Sequence, residues 1–360
     1  MGPMGRIGGV VRDKIDIGFI GCGGHSWRNV FPALQWSPVN LIATCDLDEE
    51  KAKRFARQFG ALRHYTSHLE MLEKEKLDAV LIVAGYGGVG DILHAPLAID
   101  VMKAGCHAWI EKPPANSVAE VREMMKVSEE TGKFVLTGFK KCFFPAVEKA
   151  KEITEREDFG TPASIYTRYP MGLPPEEDRL QKKGMTGILD HIPHPGSLLR
   201  YFMGPIESIY IEDERINGGA FITVRFVSGS IGMLHFTAGQ SGVSPLERLE
   251  VIGKGANVIV DNGIKLTYYR PGSRGPYGAT PSFIGPDEAA PIYWEPEFSL
   301  AVLYNKGIFL EGFVGEITYF AECVMKNEPP AKCGLDYALE ITKLYEALCG
   351  PSREIIYLAE

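Results

Sequence analysis

Residues 15–26 read Ile15-Asp16-Ile17-Gly18-Phe19-Ile20-Gly21-Cys22-Gly23-Gly24-His25-Ser26. The first six form a short apolar run of strand character, and the glycines that end it lead into a helix-like stretch through Phe31-Pro32-Ala33-Leu34. Strand, glycine loop and helix together open a dinucleotide-binding unit. Gly21 allows the tight turn. Gly23 lets the backbone approach a pyrophosphate, which would sit at the positive end of the helix. The third small residue is Ser26 where Gly or Ala is usual, so the motif is imperfect. The next apolar run, residues 41–45, closes on Asp46, 25 positions after Gly21, where a ribose-binding carboxylate is expected. A carboxylate there accepts from a ribose 2′-hydroxyl and repels a 2′-phosphate, which favours NAD over NADP. The first nearby cations are Lys51 and Arg54.

Outward from this loop, helix and strand patterns alternate. Residues 49–59 read as an amphipathic helix with Ala52, Phe55, Ala56 and Phe59 on one face. Helix 69–74 leads to strand 79–84, helix 95–104 to strand 107–110, and helix 118–131 to strand 134–137. The strands are unbroken apolar runs, as a parallel sheet buried on both faces requires. The pattern changes near residue 140. Helix 145–155, strand 163–169 and a helix-like stretch over 196–202 precede alternating segments at 206–212, 220–226, 230–237, 247–252 and 257–261. These predict a mostly antiparallel sheet. Residues 271–296, rich in Gly and Pro, read as a long loop, and 313–326 and 334–348 return to helical periodicity.

Composition narrows the function. The 360 residues are 45% apolar and 23% charged, the balance of an ordinary globular protein of about two domains. A net charge of −8 argues against nucleic acid as a partner. The uncharged run at 79–90 is too short to span a membrane, and the N-terminal residues lack the apolar core of a secretory signal. The seven cysteines are odd in number, scattered and without a CxxC pair. We therefore expect reduced thiols in a cytoplasm, with no disulfide framework and no metal site.

Several residues carry chemistry by position. Lys112 follows the apolar strand 107–110, at the edge where open parallel sheets bind ligands, and a cation there can stabilise an alkoxide. Asp190 and His194 are spaced i, i+4 and would share one face of a helix. Pro193 and Pro195 flank His194 and work against α geometry, which leaves His191 as a rival base. Lys140 and Lys141 follow the last parallel strand and are candidates to touch substrate, as are Arg168 and Tyr169 at the end of theirs. The glycine-rich residues 86–91 border the nicotinamide or form a simple turn.

Longer motifs carry a resemblance. His94-Ala95-Pro96-Leu97-Ala98-Ile99, Ala104-Gly105-Cys106-His107 and Glu111-Lys112-Pro113-Pro114-Ala115 resemble the glucose–fructose oxidoreductase / inositol dehydrogenase / MocA family. So do residues 137–146, the Gly187-Ile188-Leu189-Asp190 segment with His194, and the helix at 313–325. The resemblance covers about residues 14–350. It implies a Rossmann domain with a doubly wound parallel sheet over 14–140 and an α+β substrate-binding and oligomerisation domain, with an open, mostly antiparallel sheet, over 141–360. It also implies a cis Lys112–Pro113 bond and NAD contacts at Gly21, Gly23, Gly24, His25, Ser26, Asp46, Ala84, His94, Glu111 and Lys112. Lys112, Asp190 and His194 would be catalytic, acting on the hydroxyl of a sugar, polyol or cyclitol, in a homodimer or homotetramer. Two other functions compete: NAD-recycling glycoside hydrolysis or epimerisation through a transient keto sugar, and non-catalytic sensing. Retention of both the lysine and the histidine counts against a sensor.

Overall fold

The computed structural model describes residues 13–85, 92–271, 290–297 and 306–358. The glycine-rich stretch 86–91 and most of the predicted long loop lie outside them. Six strands build the first sheet: β1 (Ile15–Ile20), β2 (Val39–Cys45), β3 (Arg63–Tyr65), β4 (Ala79–Ile82), β5 (His107–Ile110) and β6 (Val135–Thr137). Their order is β3-β2-β1-β4-β5-β6, every pairing is parallel, and β4 and β5 are buried along their whole lengths. The chain runs outward from β1 to β3 and then returns to β4 on the other side of β1. That reversal opens a crevice at the C-terminal ends of β1 and β4, and Gly21 and Ala84 stand at its two lips. β3 was absent from the sequence reading: three residues, Arg63-His64-Tyr65, are too short to show an alternation.

The second sheet holds β7 (Ser164–Tyr169), β8 (Ile206–Asp213), β9 (Ala220–Phe226), β10 (Ile231–Phe236), β11 (Arg248–Ile252), β12 (Asn257–Asp261), β13 (Lys265–Tyr269), β14 (Ile292–Trp294) and β15 (Ile355–Tyr357). Their order is β14-β13-β12-β11-β7-β10-β9-β8-β15, with β7–β10 the one parallel pairing among the described strands. β14 lies inside the stretch predicted as loop. It pairs with β13 through Leu266, Thr267 and Tyr268, so a partner settles what its own three residues do not. Burial alternates strictly along β7 and β9. One face packs under helices Pro145–Thr154 and Pro193–Met203, and the other is open.

The two halves interlock. Helix Leu335–Leu348 lies on helix Val118–Thr131, the Glu346 carboxylate accepts from the Val118 amide, and Thr137 donates its amide to the Cys333 carbonyl. Leu335 and Ala338 join the core on one side of the parallel sheet. Helix Val118–Thr131 and β6 are thereby fixed against the C-terminal residues 333–348.

Candidate active site

The glycine loop is built as its sequence requires. Gly21 has φ +100°, and a Cβ on it would stand 2.1 Å from the Val83 carbonyl oxygen. On Gly23 or Gly24 a Cβ would meet nothing within 4 Å, so the loop's outer side is open to a ligand. Ser26 is fully buried and its Oγ donates to the Gly21 carbonyl at 2.7 Å, which ties the helix to the loop. The helix starts at Gly24, is π-helical over Ser26–Val30 and is α-helical again from Phe31. Asp46 accepts from the Cys22 amide at 2.7 Å and the Asp48 amide at 2.9 Å, so its carboxylate faces the loop. Lys51, Arg54 and Arg28 line the cleft beside Gly23, Gly24 and Trp27. The open glycines and the placed carboxylate fit a dinucleotide.

Glu111 and His94 take up different positions. The Glu111 carboxylate is buried between the two domains' edges. One oxygen pairs with His25 Nε2 at 2.9 Å and the other accepts from the Lys112 amide at 2.8 Å. Burial pushes its pKa up, but the His25 contact and the nearby Lys112 outweigh this and hold it below the usual value. His94 is buried with Nδ1 on the Pro113 carbonyl at 2.8 Å, under the cis Lys112–Pro113 bond. Burial lowers its pKa. The imidazole thus supports the turn that carries Lys112.

Lys112 and Asp190 meet although 78 residues separate them, and His194 follows Asp190 by four residues, its ring centre 6.0 Å from that of Tyr169. Lys112 Nζ donates to Asp190 Oδ1 at 2.8 Å and to the Asp190 carbonyl at 3.3 Å. The two prolines do not break the helix. Helix Thr186–His191 passes through Ile192, at helical φ −57° and ψ −29°, into helix Pro193–Met203. Pro193 opens the second segment, where a missing N–H costs no intrahelical bond. Burial, then Lys141, Lys112 and Lys140, drive the His194 pKa well below its ordinary value. The ring is neutral at pH 7 and able to take a proton. His191 is half exposed, with Nδ1 3.2 Å from the Tyr169 hydroxyl and Nε2 3.7 Å from Asp190.

The remaining candidates divide. Lys141 is buried, paired with Glu247 and 4.7 Å from the centre of the Tyr169 ring; burial lowers its pKa. Lys140 pairs with Glu311 over the Phe313 ring. Arg168 and Tyr169 part. Strand alternation puts Arg168 on the face opposite Tyr169, where its guanidinium donates to the Pro245 carbonyl near His235. Two carboxylates escaped the sequence reading. Glu247 is one. The other is Glu316, fully buried on helix Phe313–Lys326 with neither oxygen hydrogen-bonded. A carboxylate in step with Phe313, Ile317 and Phe320 was the signal available for it. All seven cysteines are free and buried, and among the described residues no group of three or more His, Cys, Asp or Glu side chains is arranged to hold a metal ion.

Residues 15–139 match the family described as an oxidoreductase family with an NAD-binding Rossmann fold, and residues 147–259 match the GFO/IDH/MocA C-terminal domain. The chain is 24% identical to myo-inositol 2-dehydrogenase of Thermotoga maritima over 319 residues, covering 85% of this chain and 87% of that protein. It is also 24% identical to scyllo-inositol 2-dehydrogenase (NAD(+)) of Bacillus subtilis, covering 84% of each. The structure superposes on levoglucosan dehydrogenase in complex with NADH and L-sorbose with a TM-score of 0.77 at 16% identity, over 97% of this chain and all of that one.

Proposed function

Because the chain belongs to the GFO/IDH/MocA family of oxidoreductases with an NAD-binding Rossmann fold, we propose that it is an NAD-dependent dehydrogenase acting on a hydroxyl of a sugar, polyol or cyclitol. One observation carries this reading: at the ligand edge of the parallel sheet Lys112 Nζ meets Asp190 Oδ1 at 2.8 Å, four residues before His194 on the helical path. NAD, bound across the loop from Gly21 to Ser26 with its ribose on Asp46, supplies the hydride acceptor. His194 removes the hydroxyl proton. Lys112 stabilises the developing alkoxide, and Asp190 orients Lys112 and holds a neighbouring hydroxyl. Residues 14–140 serve as the cofactor domain and 141–360 as the substrate and assembly domain. The inositol dehydrogenases among its relatives point to a ring polyol as the first substrate class to try.

No helix among the described residues is long and apolar enough to cross a membrane. Seven buried thiols suit a reducing cytoplasm. The open sheet face supports a homodimer or homotetramer. The decisive experiment is a panel of sugars, polyols and cyclitols with NAD and, in parallel, NADP, followed by NADH or NADPH absorbance. We expect NADH formation with at least one ring polyol or sugar, and a preference for NAD of tenfold or more. A panel with no net reduction of NAD, but with product formed from a glycoside, would transfer the site to the NAD-recycling reaction.

A further inference from the structure

His25 stands where the glycine loop turns into helix, and both nitrogens of its partly exposed imidazole have partners. Nε2 meets Glu111 Oε1 at 2.9 Å, and the Asn29 side-chain amide lies 3.1 Å from Nδ1. With Nδ1 accepting from Asn29, the ring proton sits on Nε2 and is donated to Glu111. The same carboxylate accepts the Lys112 amide through its second oxygen. Glu111 is 4% exposed, so an oxygen that lost its partner would remain away from water. Beyond Lys112 the chain continues to the Nζ–Asp190 pair. Four groups thus form one hydrogen-bonded line: Asn29, His25, Glu111 and the Lys112 backbone. It begins on the π-helical turn after the glycine loop and ends on the residue whose ammonium meets Asp190. Such turns often sit at functional sites.

We propose that His25 is a positioning residue for Lys112, holding Glu111 so that the loop around the cofactor and the lysine that faces substrate move as one unit. This assignment rests on the dehydrogenase reading and differs from a nucleotide-ligand role for His25, which the loop position alone suggests. A nucleotide ligand acts on NAD affinity. A latch acts on the placement of Lys112 and therefore on turnover when NAD and substrate are both saturating.

The test compares His25→Leu, His25→Gln and Asn29→Ala. In the cofactor-free protein, we measure the rate at which acetic anhydride labels Lys112, read by peptide mass mapping. Labelling should rise several-fold in His25→Leu and stay near the unmodified rate in His25→Gln, whose amide can still donate to Glu111. Asn29→Ala should fall between them. Quenching of intrinsic tryptophan fluorescence by NAD should show a dissociation constant changed by less than about threefold. At saturating NAD and substrate, kcat of His25→Leu should drop roughly 10–100-fold, the range expected when a reacting group is displaced by about an ångström. His25→Gln should recover most of it. Weaker NAD binding with full kcat at saturation and unchanged Lys112 labelling would overturn the latch and make His25 a nucleotide ligand. Should His25→Leu not fold, Asn29→Ala decides by the same labelling readout. The labelling and NAD-binding results need no substrate. A protein that turns over no sugar or polyol therefore refutes the dehydrogenase reading without deciding the latch.

Discussion

His194, partly buried, and Glu316, fully buried, are both ionisable groups that desolvation moves in opposite directions toward the neutral state. For His194 the consequence is catalytic. A base must be unprotonated, and an imidazole at its ordinary value would lose that form as the pH fell through about 6.5. His194 keeps it to lower pH, so the acid limb of kcat/KM should lie clearly below pH 6.5. His194→Asn should cost kcat about 10²–10⁴-fold. Lys112→Ala should cost a similar factor, with the double variant less than additive because both groups serve one transfer of proton and charge. His191→Asn, altering a half-exposed ring bonded to Tyr169, should cost little. Abolition of turnover by His191→Asn, with His194→Asn nearly intact, would make His191 the base. For Glu316 the consequence is stability. Its burial and the neighbouring Glu111 raise its pKa well above the ordinary carboxyl value of 4.5. The folded state therefore holds a proton that the unfolded state releases above about pH 4.5. Stability due to this group is fully present below that pH and is lost as the pH rises through the folded-state value. Glu316→Gln removes the dependence. Urea midpoints at pH 4.5 and pH 8 should fall less between the two conditions in the variant than in the unmodified protein. Equal slopes would show Glu316 to be ionised.

The glycine loop shows how much one element can encode. Gly21→Ala drives a methyl into the Val83 carbonyl at a φ of +100°, so it should destabilise the fold by more than about 1 kcal/mol and remove NAD binding. Gly24→Ala meets only open space and should leave the melting temperature in place while weakening NAD binding from the ligand side. Thermal unfolding with and without NAD separates the two; a Gly24→Ala protein that melts early would contradict the open-side reading. The loop, Asp46 and the strand before Lys112 were legible because each is a local pattern whose function depends on its own backbone. The helix carrying Asp190 and His194 was harder. Pro193 and Pro195 argue against helix locally, and they are tolerated because they fall in the first turn of a new segment. The partners of the site were not legible at all. His25 meets Glu111 across 86 residues and Lys141 meets Glu247 across 106, and only packing sets such pairs. β14 and β15, three residues each, exist because β13 and β8 present free edges to them.

At the scale of the whole molecule, the second sheet presents a face that the chain does not cover. Strand alternation turns Phe221, Ile231, Met233 and Ile252 outward, away from the helices, and Phe221 and Ile231 are each about half exposed. Apolar side chains grouped on one flat face are unusual for a monomer and mark an interface. Arg168, Tyr166 and His235 lie among them, and Tyr169, whose ring lies 6.0 Å from that of His194, points to the opposite face of β7. A pairing of this face with a second copy would bury the apolar group and leave both active sites open. We therefore expect a homodimer or homotetramer by size-exclusion chromatography with light scattering. Phe221→Lys combined with Met233→Lys should reduce the mass to that of a smaller species. The substitutions are solvent-directed, so the monomer's fold needs neither side chain, and the NAD dissociation constant should change little. An unmodified chain that runs as a monomer at micromolar concentration would refute the pairing, as would a double-lysine variant that keeps its assembled mass.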